Sequence, residues 1–173
     1  MASRTFGQAI TLQADVEEAV SAFASRAAAK MRRHGLATAH LSVFLETNPF
    51  REQDSQYMAT RGIRLPVATA DTGQLIAAAH RALGAIWRDG YRYEKACVML
   101  VDLVRAVSVG DGLFSRRDDP RSLARMRTLD TLNARFRRNT IAFALTDANH
   151  PWQLRSGILS RCYTPEWDEL FRV

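Results

Sequence analysis

The sequence predicts an α+β fold in which strands and helices follow the order β-α-β-β-α-β. Two segments repeat apolar residues at helical spacing, and the segments around them alternate or run apolar as strands do. Glycines or an Asn-Pro pair separate these segments. This order is that of a ferredoxin-like split unit, whose sheet carries both helices on one face and leaves the other face open.

The first helix is predicted over residues 14 to 34, after a short strand at residues 3 to 10. Asp15 and Glu18 have the spacing of a capping box, and Gly35 would end the helix in the left-handed conformation. The apolar residues that recur at helical spacing are Val16, Val20, Phe23, Ala27 and Met31.

Two alternating segments, residues 39 to 47 and 58 to 67, are predicted to be half-buried strands. In the second of them Ile63 and Leu65 would face the helices, so that Arg64 points to the open face. Pro66 indicates that this strand ends there, because proline cannot donate to a sheet ladder.

A second helix is predicted to begin at a cap formed by Asp71 and Gln74, and Gly90 follows its end. The next strand, residues 93 to 103, is long and apolar and would complete the sheet. Cys97 lies within it and is predicted to be a buried packing thiol.

The chain is predicted to have three parts: a domain over residues 1–104, a linker over 105–121, and a small basic α/β extension over 122–173. Asp118 and Asp119 are interpreted as solvated linker acids. A second amphipathic helix is expected from residue 122 to 137, and a short strand from 140 to 145.

Charge and composition are compatible with an anionic partner, and a GC-rich genome explains the excess of arginine equally well. The 173 residues carry a formal net charge of +6, and nearly all the basic residues are arginine, which suits phosphate binding. No apolar run approaches about 18 residues and no secretory signal precedes the first strand, so we expect a cytoplasmic protein without a membrane span.

The chemistry-bearing motifs of common enzyme classes are not found in the sequence. It has neither of the glycine-rich phosphate loops, and its four histidines lack metal-ligand spacing. We therefore expect no catalytic residue, no metal and no cofactor in this chain.

Three segments carry a resemblance to a known family: SRTFG at 3–7, IRLPVAT at 63–69 and WRDGYRYEKACVML at 87–100. They resemble the little-finger domain of UmuC-type Y-family translesion DNA polymerases. MRTLDTLNARFRRNTIAFA at 126–144 and LSRCYTPEWDEL at 159–170 are similar to the C-terminal extension of UmuC-like proteins. The resemblance covers nearly the whole chain, with both halves in the right order.

The resemblance implies a role in the SOS response and DNA repair, in which the open sheet face grips damaged primer-template duplex through its phosphate backbone. The residues to which it assigns DNA contacts are Ser3, Arg4, Thr5, Arg61, Arg64 and Lys95. Arg61 shares parity with Ile63, so it reaches the open face only if the strand bends. Polymerase activity in this family needs palm carboxylates, fingers and thumb that would precede Met1, so we expect a non-enzymatic fragment.

The resemblance also implies protein partners, namely the sliding clamp, a UmuD-type accessory dimer and the recombinase filament. The family's clamp motif, Q-L-x-L-F, is degenerate here, with only Leu113 and Phe114 matching, so clamp binding would be weak. An alternative is a protein-interaction module that docks to these partners without appreciable DNA binding. An RNA-binding sheet of the RRM type is disfavoured, because the stacking aromatics of that family are absent.

Overall fold

A computed structural model describes residues 1–109, 118–136 and 140–143 of the chain. Its four strands are β1 (Ala2–Ile10), β2 (Leu36–Thr47), β3 (Met58–Thr69) and β4 (Tyr93–Arg105). Its α-helices in the described ranges are α1 (Gln13–Arg33), α2 (Thr72–Ile86) and α3 (Pro120–Phe136), with a single 3₁₀ turn at Ala106–Ser108. The predicted α+β class and the β-α-β-β-α-β order are confirmed.

The four strands form one antiparallel sheet in the order β1-β4-β2-β3. Each pair of strands joined by a helix is separated by one other strand, because β4 lies between β1 and β2, and β2 lies between β3 and β4. This is the split arrangement that the element order predicts. The long apolar strand β4 completes the sheet from its centre, and β1 and β3 form the two edges.

Both long helices pack on one face of the sheet. Leu41 lies across from Leu100 and Val43 across from Val98, and all four side chains are buried beneath α1 and α2. The largest fully buried side chains of this core are Tyr93, Phe23, Leu41, Leu45, Leu75 and Leu83. Burial of apolar surface on this face holds the helices in place. In the part of the chain that the structure describes, no helix covers the other sheet face.

The helix ends confirm two of the predicted signals and correct a third. Gly35 follows α1 with a φ of +66°, and the Asp71 carboxylate accepts a hydrogen bond from the Gln74 backbone N–H at 3.1 Å. The predicted capping box at Asp15 is wrong, because α1 begins at Gln13 after Leu12 and has no side-chain cap. Asp15 lies instead in the first turn, where a carboxylate favours the helix dipole.

Strand β3 continues past Pro66 to Thr69, so the predicted end of this strand is wrong. The register with β2 shifts there: His40 lies opposite Arg64, but Thr38 lies opposite Thr69. Four residues of β3 therefore lie opposite a single residue of β2 between these pairs, which forms a bulge in β3. A proline is tolerated at this point because β3 is an edge strand with a bulge, where one ladder donor is dispensable.

The segment that begins at Asp118 is attached to the sheet domain. The Asp118 carboxylate accepts hydrogen bonds from the Thr69 hydroxyl (2.6 Å), the Ala70 N–H (2.8 Å) and the Gln74 amide (3.0 Å). The interpretation of Asp118 as a solvated acid is therefore wrong. Met126 on α3 is buried, so the helix that was predicted from residue 122 packs against the domain.

Residues 140 to 143 lie outside any strand, while the rest of the strand predicted over residues 140 to 145 falls outside the described residues. Among the described helices, none is long and apolar enough to cross a membrane. No group of three or more potential metal ligands occurs in the described ranges.

Candidate nucleic-acid interface

The sheet face opposite α1 and α2 is called the open face below. The β2–β3 register places His40 across from Arg64, Ser42 across from Gly62, and Phe44 across from Thr60. The β2–β4 and β1–β4 registers add a second group to the same face: Ser3, Thr5, Glu46, Lys95, Cys97 and Met99. Directly opposed residues in an antiparallel pair share a face, so these side chains form one surface.

Arg64 is the exposed cation at the β3 edge of the open face, as the strand alternation predicted. Among the residues that the structure describes, it has no ion-pair partner. Its neighbour along the same face of the strand is Gly62, which has no side chain of its own and is approached by the His40 imidazole from β2. The guanidinium is therefore available to an anionic ligand.

Lys95 also lies on the open face, on the central strand β4. Its ammonium is 3.4 Å from a Glu46 carboxylate oxygen and 5.8 Å from the centre of the Phe44 ring. The ion pair is partly exposed and contributes little to stability. Glu46 nevertheless offsets part of the positive charge of Lys95, whereas no acid in the described ranges does so for Arg64.

Ser3 and Thr5 occupy the opposite edge of the open face. Ser3 lies across from Cys97 and Thr5 across from Lys95, and both hydroxyl residues are exposed. Strands in a sheet are about 4.8 Å apart, so the β1 and β3 edges are roughly 14 Å from each other. The surface thus has hydroxyl groups at one edge, a lysine near its middle and an arginine at the far edge.

Arg4 and Arg61 are not on the open face. Arg4 lies across from Ala96 and Arg61 across from Val43, and both of these partners are buried on the helix side. The side chains of Arg4 and Arg61 stay exposed because β1 and β3 are edge strands. The bend that would have brought Arg61 to the open face is absent, since the β2–β3 register stays regular between Met58 and Arg64.

His40 belongs to the open face although it was not a predicted site residue. Its Nδ1 is 3.5 Å from a carboxylate oxygen of Asp102, and its ring lies over Gly62. Asp102 has a φ of +50°, which is unusual for a residue with a side chain. The alternation of β2 placed His40 with Ser42 and Phe44, so the same pattern that identified Arg64 could have identified it.

Cys97 is buried, as its place in an apolar strand had led us to predict, with 7% of its surface exposed. It faces the open side of the sheet between Ser3 and Phe44. Burial raises the pKa of the Cys97 thiol, so it stays neutral at physiological pH. The open face therefore combines polar groups with an apolar centre. Leu113 and Phe114, the predicted clamp contacts, lie outside the described residues.

Comparison with known proteins identifies the family. The model of the impB/mucB/samB family C-terminal domain matches residues 1–113, well over half of the chain. This chain belongs to the impB/mucB/samB family. A second family model, which describes a domain of unknown function, matches residues 125–173 of this chain.

Curated relatives of this impB/mucB/samB family member cover nearly all of its length. Protein ImpB of Salmonella typhimurium is 36% identical over 169 residues, which is 97% of this chain and 40% of that protein. Protein UmuC of Salmonella typhimurium strain LT2 is 36% identical over 175 residues, covering 99% and 41%. Protein MucB of Escherichia coli is 37% identical over 165 residues, covering 95% and 39%.

The chain thus spans about two-fifths of the length of the curated relatives that it matches. The resemblance to the C-terminal region of UmuC-type proteins, first drawn from short motifs, is confirmed for both halves of the chain.

Proposed function

We propose that this chain is the non-catalytic DNA-gripping region of an error-prone translesion DNA polymerase, and that its open face lies along the phosphate backbone of the primer-template duplex. The observation that supports this most is the position of Arg64. It is exposed at the edge of a sheet face that no helix covers in the described ranges, and no described carboxylate pairs with it. Arginine donates in a fork that matches phosphate oxygens.

Binding of this kind would be independent of sequence. The open face contributes hydroxyl groups from Ser3 and Thr5, an ammonium from Lys95 and a guanidinium from Arg64, all of which suit phosphate contacts. In the intact polymerase this grip would hold damaged template near an active site built by other domains. Nucleotidyl transfer would not be performed by residues of this chain, and the role would be exercised in the cytoplasm on nucleoid DNA.

The test is fluorescence anisotropy of a labelled primer-template duplex at several salt concentrations. Each neutralised phosphate contributes about −0.9 to the slope of log affinity against log salt. We expect Arg64→Ala to weaken binding and to make the slope shallower by up to about 0.9. The matched control is Arg61→Ala, three positions away on the same strand, which removes the same charge from the helix side.

Equal losses for Arg64→Ala and Arg61→Ala would show that only net charge matters, and the assignment of the open face would be wrong. Absence of duplex binding even at the lowest salt concentration would reject the DNA-gripping role for this chain. If Ser3→Ala and Thr5→Ala weaken duplex binding as Arg64→Ala does, the DNA contact extends to the β1 edge of the open face.

A second function, docking to protein partners without appreciable DNA binding, is favoured by the apolar part of the open face. Met58 is 68% exposed and Met99 is 41% exposed there, and thioethers adapt to varied protein surfaces. The partners would be a UmuD-type accessory dimer, a recombinase filament or, weakly, the sliding clamp. Loss of partner capture in Met99→Ser, with duplex affinity unchanged, would support this function.

A further inference from the structure

Helix α3 carries a row of arginines on the side that faces away from the sheet domain. Arg121, Arg125 and Arg135, together called the arginine stripe, are all exposed. With 3.6 residues per turn, their spacings of four and fourteen residues bring them to one side of the helix. Met126 and Ser122, on the other side, are buried against the domain.

The arginine stripe has no carboxylate partner among the described residues, because the nearby acids are engaged elsewhere. Asp130, the one acid within α3, binds Arg32 at 2.7 Å. Asp118 accepts hydrogen bonds from the β3 end and from Gln74. Asp119 accepts one from the backbone N–H of Arg121 and so caps the helix start. The stripe therefore presents positive charge that no ion pair in the described ranges offsets.

The segment that follows α3 runs along the docked side in its described part. Asn133 donates to the Ile141 carbonyl and accepts from the Ile141 N–H, both at 2.9 Å. Phe143 packs against the core near Gly73. Residues 140 to 143 thus turn back towards the start of α2, where Phe143 and Arg125 line the same cavity, while Arg121 and Arg135 do not line it.

We infer that the arginine stripe of α3 binds a nucleic-acid backbone, as a second contact that does not depend on the open face. The stripe extends over fifteen residues, from Arg121 to Arg135, or about 21 Å of helix, which suits a run of phosphates better than a single phosphate group. Thr128 and the half-buried Leu132 lie between Arg125 and Arg135, and Phe136 beside Arg135 is 55% exposed, so the surface is mixed and its few apolar groups do not form the extended apolar centre of a typical protein interface. Uncompensated guanidinium groups fit phosphates in pairs.

The experiment compares the full chain with the triple variant Arg121→Ala, Arg125→Ala and Arg135→Ala, using a labelled duplex and a single strand of equal length. Alanine is the best helix former, so α3 should persist, and a thermal unfolding curve checks this. We expect weaker binding and a salt slope shallower by up to about 0.9 per lost duplex contact or about 0.7 per lost single-strand contact.

The control is Arg81→Ala, an exposed arginine on α2 that is part of neither surface. Each single arginine-to-alanine variant of the stripe should weaken DNA binding more than Arg81→Ala does. Effects equal to that of Arg81→Ala would overturn the inference. Reduced binding of a poly-glutamate peptide with unchanged DNA affinity would also overturn it, in favour of an acidic protein partner.

The same assay separates this inference from the proposed function. Sensitivity to Arg64→Ala with no effect of the triple variant would leave the open face as the DNA contact and reject the stripe. Sensitivity to the triple variant alone would support the stripe and reject the open face.

Discussion

The guanidinium of Arg32, in the last turn of α1, binds the Asp130 carboxylate of α3 through two hydrogen bonds of 2.7 Å. Its remaining nitrogen donates to the Ala70 carbonyl at 3.0 Å and to the Thr72 hydroxyl at 2.6 Å. Only 10% of the Arg32 side chain is exposed. One arginine therefore joins the end of α1, the start of α2 and the middle of α3.

We predict that Arg32→Ala loosens α3 from the sheet domain. Hydrogen bonds to charged groups contribute about 1.5–3 kcal/mol each, so several lost at once should lower the free energy of unfolding by at least about 2 kcal/mol. Hydrogen exchange should show faster exchange of the α3 amides. Arg33→Ala, which removes an exposed charge one residue away, is the control and should leave α3 protected.

Arg32→Lys should rescue the attachment only in part, because an ammonium cannot form the two-pronged contact with Asp130. Unchanged α3 protection in Arg32→Ala would show that apolar contacts such as that of Met126 are sufficient to hold the helix.

A second prediction concerns Asp118, whose two carboxylate oxygens accept from Thr69, Ala70 and Gln74. In Asp118→Asn an NH2 group, which cannot accept a hydrogen bond, replaces one carboxylate oxygen, so at least one of these three donors loses its partner. We expect a loss of about 1–2 kcal/mol in the free energy of unfolding, measured by urea denaturation. The control Glu52→Gln changes an exposed loop acid and should have no effect. Equal midpoints for both variants would contradict the prediction.

The strand alternation predicted the open face well, because a period of two depends only on local backbone geometry. It assigned Arg64 to the correct side of the sheet. It also predicted that Arg61 reaches the open face only if β3 bends, and the β2–β3 register shows no such bend. Periodicity carries no information on which strands become neighbours. That Thr5 lies across from Lys95 could therefore be learned only from the three-dimensional structure.

The role of Asp118 could not be predicted from the sequence for a similar reason. Its three donors come from the end of β3 and the start of α2, more than 40 residues away along the chain. Short-range patterns identify acids in a linker, but they do not show which distant N–H groups need an acceptor. The attachment of Arg32 to Asp130 spans 98 residues and was missed on the same grounds.

A third prediction tests the close approach of His40 to β3. A Cβ added to Gly62 would lie 2.8 Å from His40 Nε2, so Gly62→Ala forces the imidazole to move. We expect Gly62→Ala to be neutral or destabilising in the natural chain. In the His40→Ala background the clash is absent, and the same change should stabilise by about 0.5–1 kcal/mol, since glycine is unfavourable within a strand.

The measurement is a double-mutant cycle by thermal or urea unfolding. Additive effects of the two substitutions would show that the imidazole moves aside at no cost. Gly84→Ala, where an added Cβ would meet nothing within 4 Å, is the control that reports the intrinsic gain from alanine in a helix.

The last prediction concerns stability at alkaline pH. The Tyr93 hydroxyl is buried, donates to the Arg88 carbonyl at 3.0 Å and accepts from the Arg88 N–H at 3.1 Å. Burial raises the pKa of Tyr93 above its ordinary value of 10.0. Above that value the unfolded chain releases the phenol proton while the folded chain retains it, so the free energy of unfolding falls as pH rises. The stabilising contribution is complete below pH 10.0 and is lost as pH rises through the folded-state pKa.

Tyr93→Phe should therefore cost about 1 kcal/mol at neutral pH, from the lost hydrogen bonds, yet make the stability less sensitive to pH above 10.0. The pKa of Cys97 is also raised above its ordinary value of 9.0, so its thiol likewise makes the free energy of unfolding fall as pH rises. Tyr93→Phe combined with Cys97→Ala should therefore reduce the dependence of the free energy of unfolding on pH more than Tyr93→Phe alone. Tyr91→Phe, in the same aromatic cluster, is the control for the loss of a hydroxyl. If urea midpoints between pH 8 and 11 fell as steeply in the double variant as in the natural chain, other groups would be responsible for alkaline unfolding.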